Sequence, residues 1–172
     1  ADDVEARAMV KAAYEMYGPV YMRFGRAATP VFHAPDFKFE IGKGEVLQDG
    51  TDVAIIATGI MVPEALEAGS LLASKDISAR IINMATIKPL DEELVLKAAK
   101  ECGKIITCEE HSVIGGLGEA VCSILSGKYP VPVKRIGVND QFGHSGPAND
   151  LLKEFGLCSD HIAAQAMALL EK

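Results

Sequence analysis

Three apolar runs rich in β-branched residues constrain the fold of this chain more than any other feature. They are D-V-A-I-I-A-T (52–58), A-R-I-I-N-M (79–84) and K-I-I-T-C-E (104–109). A near-continuous apolar run is typical of a strand that is covered on both faces of a sheet. Segments of about ten residues with helical periodicity separate the runs. The alternation predicts an α/β fold with three α/β/α layers, in which helices cover both sides of an open, mostly parallel sheet.

Two further segments, residues 44–48 and 131–138, bring the predicted sheet to about five strands. Asp91 is a good N-cap and Gly103 a typical helix end, so these two residues bound one helix. The helices predicted for this part of the chain are 63–74, 91–101, 117–126, 147–155 and 160–170.

The first part of the chain has a different pattern. Apolar residues at helical spacing predict a helix over 3–17, and residues 20–24 have the composition of a strand. Residues 26–44 mix Gly, Pro and scattered aromatic residues without a period, and a segment of this length is uncommon inside one domain. We therefore expect a tail of a preceding domain at 1–25, a linker at 26–44 and a domain at 45–172. The absence of an initiator Met suggests a piece of a longer chain.

Charge and composition exclude several classes of protein. The chain has 17 Lys and Arg against 24 Asp and Glu, a formal charge of −7. An acidic protein without clustered basic residues is a poor ligand for a phosphate backbone, so we expect no nucleic acid partner. No apolar run approaches the roughly 20 residues of a membrane span, so we expect no membrane partner either.

The four cysteines do not form a C-x-x-C pair, so the sequence predicts neither a zinc site nor a redox site. Each cysteine lies in a segment predicted to be helix or strand, which is typical of a buried, inert thiol. Reduced thiols fit a cytoplasmic protein. The residues are Cys102, Cys108, Cys122 and Cys158.

The stretch from 109 to 119 is the most distinctive polar segment. Glu109, Glu110 and His111 follow a predicted strand, where open α/β sheets place their ligands. The glycines that come next open a helix, whose free N–H groups could receive an anion. Acid–base catalysis is one interpretation. A second interpretation is that the two carboxylates and the imidazole form hydrogen bonds at a subunit surface, while the glycines permit close packing.

The remaining candidates are histidines and arginines in predicted loops. His144, beside a serine, is interpreted as a surface or interface residue, because adjacent residues rarely point at each other. Arg23 and Arg26 flank Gly25 at the end of the predicted strand 20–24, and their guanidinium groups suit a phosphate or a carboxylate, or a structural salt bridge. His33 and His161 give no signal beyond that of surface residues.

Four segments in the same order resemble the C-terminal domain of transketolase-like, thiamine-diphosphate-dependent enzymes, and most of all the C-terminal half of a split transketolase. The likeness covers nearly the whole sequence. The segments are D-V-A-I-I-A-T-G (52–59), N-M-A-T-I-K-P-L-D (83–91), E-E-H-S-V-I-G-G-L-G-E-A-V (109–121) and G-V-N-D-Q-F-G-H-S-G-P (137–147).

The resemblance implies a function for the complete enzyme. Transketolases transfer a two-carbon ketol unit between sugar phosphates of the pentose phosphate pathway. Thiamine diphosphate and Mg²⁺ lie in two other domains, so this chain alone is expected to bind neither, to supply no catalytic residue and to be inactive. The expected role of this domain is assembly, and the expected partners are an N-terminal subunit and a second copy in a homodimer. Residues 1–25 resemble the end of the pyrimidine-binding domain.

The resemblance also bears on individual residues. Arg26 and Pro30 match an Arg-x-x-x-Pro pattern at the place where the family binds the substrate phosphate, and Arg23 is the weaker choice. The expected interface residues are Glu109, Glu110, His111 and His144. Deoxyxylulose-phosphate synthase, the beta subunit of 2-oxo-acid dehydrogenases and a stand-alone binding module of the same fold also fit the pattern. The phrase Gly-His-Ser-Gly-Pro-Ala-Asn (143–149) favours transketolase.

Overall fold

A computed structural model describes residues 1–171 of the chain. Within these residues, strands and helices alternate from residue 53 to residue 154, as the apolar runs predict. In chain order the elements are α1 (Asp3–Glu15), β1 (Glu45–Gln48), β2 (Val53–Ala57), α2 (Met61–Ala73), β3 (Ala79–Asn83), α3 (Glu92–Cys102), β4 (Ile105–Ser112), α4 (Leu117–Lys128), β5 (Val133–Val138), α5 (Ala148–Glu154) and α6 (Ser159–Leu170).

The strands form one five-stranded sheet in the order β1-β3-β2-β4-β5. Strands β2 to β5 are parallel, and only β1, at one edge, is antiparallel to its neighbour. The central strand β2 is buried along its whole length, and its Ile55 lies opposite Ile81 and Ile106. The predicted α/β class with a mostly parallel sheet of about five strands is therefore confirmed.

The two faces of the sheet carry separate cores, because successive side chains of a strand point to opposite sides. Ile55 and Ile81 pack with α2 and α6, whereas Ile56 and Ile82 pack with α3 and α4. This arrangement gives the predicted three layers. It also places Leu117 and Gly118, at the start of α4, beside Glu109 of β4.

The strand predicted at residues 20–24 is wrong. Residues 16–44 contain neither helix nor strand, and Val20, Tyr21 and Phe24 are exposed. The composition of this segment favours a strand, but a strand also needs a neighbour for its N–H and C=O groups, and residues 1–171 provide none there. We call residues 16–31 the arm.

The cysteines behave as buried or half-buried free thiols. Burial raises the pKa of Cys108 well above its usual range, so this side chain stays a thiol. Within residues 1–171, none of the helices has both the length and the apolar character that crossing a bilayer requires.

Candidate functional site

Glu109 is the fifth of the eight residues of β4, and 1% of its surface is exposed. Its Oε2 accepts a hydrogen bond from the N–H of Leu117 at 2.7 Å, and its Oε1 accepts one from the N–H of Gly118 at 2.8 Å. A carboxylate at a helix N-terminus also interacts favourably with the helix dipole. Glu109 therefore links β4 to α4 within the chain, and each of its two carboxylate oxygens accepts a hydrogen bond from the start of α4.

Gly116 is required by this joint. A Cβ atom on Gly116 would lie 1.9 Å from Oε2 of Glu109, far inside van der Waals contact. The glycine thus lets the backbone of the helix start approach the carboxylate. This geometry is the close packing that the sequence suggested, and it leaves Glu109 unsuited to acid–base catalysis.

Glu110 and His111 are exposed on the extension of β4. The backbone carbonyl of Glu110 accepts a hydrogen bond from Nη2 of Arg23 at 3.2 Å, a contact that spans 87 positions of sequence. The arm therefore reaches the edge of the sheet where the four parallel strands end, which we call the carboxyl edge. Ligands of open α/β sheets bind at this edge.

Arg26 lies three residues further along the arm. Its side chain is exposed, and within residues 1–171 it makes neither a hydrogen bond nor an ion pair with another side chain. The structure therefore brings Arg23 to Glu110 but leaves the guanidinium group of Arg26 available.

His144 lies in the exposed loop between β5 and α5. Its Nε2 is 3.0 Å from Oε1 of Glu154, and its ring stands edge-on to the ring of Phe155, with 5.8 Å between centroids. Within residues 1–171 the structure does not bring His144 into contact with Glu110 or His111.

His33 is buried, so the interpretation of this residue as a surface residue is wrong. The side chain is buried between two carboxylates, with Nδ1 3.0 Å from Oδ1 of Asp2 and Nε2 2.8 Å from Oε2 of Glu45. The rings of Phe32 and Phe37 pack against it, at centroid distances of 4.4 and 4.1 Å. No local pattern marks this site, because its partners lie on other elements.

Electrostatics around His33 favour the imidazolium form. Burial alone would lower the pKa of His33, but the carboxylates of Asp2 and Glu45 outweigh burial and raise it. Burial would likewise raise the pKa of Asp2, but the N–H groups that donate to its carboxylate hold that pKa well below its usual range.

A comparison with family models matches residues 42–162 to the family described as the transketolase C-terminal domain. The chain belongs to this family. The matched residues run from just before β1 into α6, so they include the whole five-stranded sheet.

Individual relatives support the same membership. The chain is 45% identical to the "Putative transketolase C-terminal section" of Methanocaldococcus jannaschii, over 99% of this chain and 54% of the relative. It is 44% identical to one of the subunits of the apulose-4-phosphate transketolase of Phocaeicola vulgatus, over 99% of this chain and 55% of the relative. It is 43% identical to 1-deoxy-D-xylulose-5-phosphate synthase 1 of Geobacter sulfurreducens, over 98% of this chain and 27% of the relative.

A solved structure described as "Split gene transketolase, inactive beta4 tetramer" superimposes with a TM-score of 0.96 and 48% identity. The superposition covers 99% of this chain and 56% of that chain. The chain thus spans about half the length of the transketolase subunits that it matches.

A metal-bound diphosphate cofactor needs a cluster of ligands that the described residues do not provide. Within residues 1–171, no three His, Cys, Asp or Glu side chains lie close enough to hold a metal ion. Two buried carboxylates, those of Asp2 and Glu109, already accept hydrogen bonds from backbone N–H groups. The residues present do not fit the cofactor, so no step of its chemistry is assigned to them.

Proposed function

We propose that this chain is the C-terminal part of a two-polypeptide transketolase that transfers a two-carbon ketol unit between sugar phosphates. The observation that carries the proposal is the match of 99% of the chain, at 44 to 48% identity, to subunits described as parts of transketolases. In this proposal thiamine diphosphate and Mg²⁺ are held by the rest of the cytoplasmic enzyme. This chain supplies no catalytic residue.

The proposed role of the chain itself is assembly. Residues 45–172 form the C-terminal domain, residues 26–44 are a linker, and residues 1–25 are the tail of the preceding pyrimidine-binding domain. Four exposed aromatic side chains between residues 14 and 24 support this division, because several large apolar side chains exposed on one segment commonly mark a contact site. They are Tyr14, Tyr17, Tyr21 and Phe24.

The proposed contacts between subunits lie at the carboxyl edge and on the loop after β5. Glu110, His111 and His144 are exposed and able to reach a second copy in a homodimer or an N-terminal subunit. Glu109 has too little exposed surface to contact a partner directly. Its proposed part in the interface is to hold α4 and the extension of β4 in place.

Arg26 is the proposed phosphate-binding residue of the substrate site. A guanidinium group presents several N–H donors in a planar fork, which matches the oxygens of a phosphate. Arg26 is exposed and follows Gly25, where an added Cβ would lie 3.2 Å from the side chain of Ile60 just beyond the end of β2, and this position supports the role. Arg23, which already donates to the carbonyl of Glu110, is the second choice.

A second candidate function is 1-deoxy-D-xylulose-5-phosphate synthesis, since a synthase of this product shares 43% identity with the chain. The shared domain serves both kinds of enzyme, so the product decides between them. A 2-oxo-acid dehydrogenase beta subunit or a stand-alone module of the same fold would show no ketol transfer.

The test is to assay the natural full-length polypeptide together with its N-terminal section. We expect ketol transfer between sugar phosphates that requires thiamine diphosphate and Mg²⁺, with no transfer when either polypeptide is left out. Formation of 1-deoxy-D-xylulose 5-phosphate instead would establish the second candidate. Calorimetric titration of residues 1–172 alone with the cofactor and Mg²⁺ should release no heat, and micromolar binding would contradict the assembly role.

A further inference from the structure

The carboxylate of Asp2 joins two parts of the chain that are far apart in sequence. Its Oδ1 accepts a hydrogen bond from the N–H of Glu5, which caps α1. Its Oδ2 accepts from the N–H groups of Phe32 and His33, each at 2.9 Å and about 30 positions away. Only 3% of the Asp2 surface is exposed. One buried carboxylate therefore holds the start of α1 against the residues that follow the arm.

His33 extends this junction to the sheet. Its two ring nitrogens face two carboxylates, Asp2 at the N-cap of α1 and Glu45 on β1. The contact from Nδ1 to Asp2 lacks the alignment of a hydrogen bond, so its attraction is that of an ion pair. Phe32 and Phe37, the other rings against His33, carry no charge.

We propose that Asp2, His33 and Glu45 form a proton-dependent clamp that fixes both ends of residues 3–31 to the sheet, and that His33 is thereby a positioning residue for the arginines of the arm. The clamp follows from the contacts alone. Its effect on substrate rests on the proposed function.

Protonation matters because of what each form of the ring can donate. An imidazolium carries a positive N–H on both ring nitrogens, so one N–H faces each carboxylate, as a hydrogen bond to Glu45 and as an ion pair with Asp2. A neutral ring has one donor, so a nitrogen lone pair then faces the carboxylate of either Asp2 or Glu45. Loss of the proton replaces an attraction by a repulsion at one end of the clamp.

The direction of the pH dependence follows from the raised pKa of His33. A group with a raised pKa in the folded state contributes stability that is fully present below its ordinary value, about 6.5 for histidine. This contribution is lost as the pH rises through the folded-state pKa. The clamp is therefore closed in mild acid and weakens toward alkaline pH.

The arm is the part of the molecule that this change affects. Its base is fixed by the clamp, and its middle is fixed by the hydrogen bond from Arg23 to the carbonyl of Glu110. Arg26 lies between these two attachments in sequence and has an unpaired side chain within residues 1–171. Weakening of the clamp should loosen residues 3–31, and Arg26 with them, and leave the sheet unchanged.

The test uses the natural full-length protein assembled with its partner polypeptide. Amide hydrogen exchange is followed in peptides from 3–15 and 29–33 between about pH 5.5 and about pH 9, corrected for intrinsic exchange, and exchange at the ring C–H of His33 gives its pKa. We expect protection to fall about tenfold for each unit by which the clamp raises that pKa. His33→Gln should abolish the pH dependence, and His161→Gln, at an exposed position, should retain it.

Glu45→Gln is the second variant, because the side chain of Glu45 is 40% exposed on an edge strand and its replacement leaves the core intact. The Glu45→Gln variant should move the midpoint of the exchange transition to lower pH, because His33 then faces one carboxylate instead of two. Protection that is independent of pH in the natural protein, or still dependent on pH in His33→Gln, would overturn the clamp.

Kinetics test the positioning role separately. The KM for the sugar phosphate should rise with pH in step with exchange while kcat stays level, and a KM that does not follow the transition would overturn positioning. If the exchange transition is present but ketol transfer is absent, the clamp stands and the proposed function is wrong.

Discussion

At the scale of single residues, the two arginines of the arm differ in what they already contact. Nη2 of Arg23 donates to a backbone carbonyl, whereas Arg26 has its full set of N–H donors free within residues 1–171. A guanidinium group without a partner keeps its bidentate geometry available for an incoming anion. For this reason Arg26 is the better position to test.

Arg26→Ala in the complete enzyme should raise the KM for phosphorylated sugars far more than for unphosphorylated ones. Loss of a charge-assisted phosphate contact costs on the order of 2–3 kcal/mol, which corresponds to roughly 30- to 150-fold in affinity. Steady-state kinetics with a phosphorylated and an unphosphorylated acceptor measure the difference.

Arg7→Ala is the matched control, because Arg7 is an exposed arginine on α1 that pairs only with Asp3 within the described residues. It should leave both KM values unchanged. Equal losses for both acceptors in Arg26→Ala would remove Arg26 from the phosphate site.

The roles of residues are harder to predict from the sequence than their positions. The sequence places Glu109 correctly on a strand before a glycine-rich helix start, but β4 continues to Ser112, three residues beyond the predicted end. The partner of Glu109 depends on how close β4 and α4 approach. His33 carries no signal at all. Its two carboxylates lie at the start of α1 and on β1, so only the folded chain brings them together.

At the scale of elements, the buried strands are predictable because burial on both faces demands apolar side chains at every position. This reasoning locates β2, β3 and β4, and the caps Asp91 and Gly103 locate α3. It fails for residues 20–24, because composition reports whether a segment could form a strand and not whether a neighbouring strand exists. The antiparallel direction of β1 is likewise not contained in its short pattern.

The joint between β4 and α4 gives a prediction about stability. Gly116→Ala should destabilise the chain by about 1–3 kcal/mol. The new methyl group would displace the carboxylate of Glu109 and break its hydrogen bonds with the N–H groups of Leu117 and Gly118. Gly116 has a φ of −104°, which any residue adopts, so the cost comes from the contact alone. Urea denaturation measures the change.

Gly127→Ala is the matched control in the same helix. Nothing lies within 4 Å of a Cβ at this position, and alanine favours helix over glycine by up to about 1 kcal/mol. This variant should be neutral or more stable. A Gly116→Ala protein as stable as the Gly127→Ala protein would show that the carboxylate can move without loss.

At the scale of the whole molecule, α1 and the arm differ from the rest of the chain in how many large apolar side chains they expose. The sheet and its helices enclose two cores, whereas α1 and the arm expose the aromatic side chains of Tyr14, Tyr17, Tyr21 and Phe24. Since the chain spans about half the length of the subunits that it matches, the proposed cover for these aromatic side chains is the rest of the enzyme.

Substitution of these aromatic residues should therefore affect the stability of the complete enzyme more than the stability of residues 1–172 alone. Tyr17 and Tyr21 are 102% and 88% exposed, so replacing both by Ser should change the stability of residues 1–172 alone by less than about 0.5 kcal/mol. In the complete enzyme these side chains are expected to be buried, and loss of each should cost about 2 kcal/mol or more. Thermal unfolding of both forms measures the difference.

Tyr129→Ser separates this effect from a general response to losing a tyrosine. Tyr129 is 40% exposed and lies at the C-cap of α4, away from the carboxyl edge that the arm reaches. Its replacement should have the same effect in both contexts. If Tyr17 and Tyr21 also show no difference between the isolated chain and the complete enzyme, nothing covers these side chains, and the stand-alone module becomes the better description. A difference confined to these two tyrosines would place the boundary with the rest of the enzyme on α1 and the arm, within the residues proposed as the tail of the preceding domain.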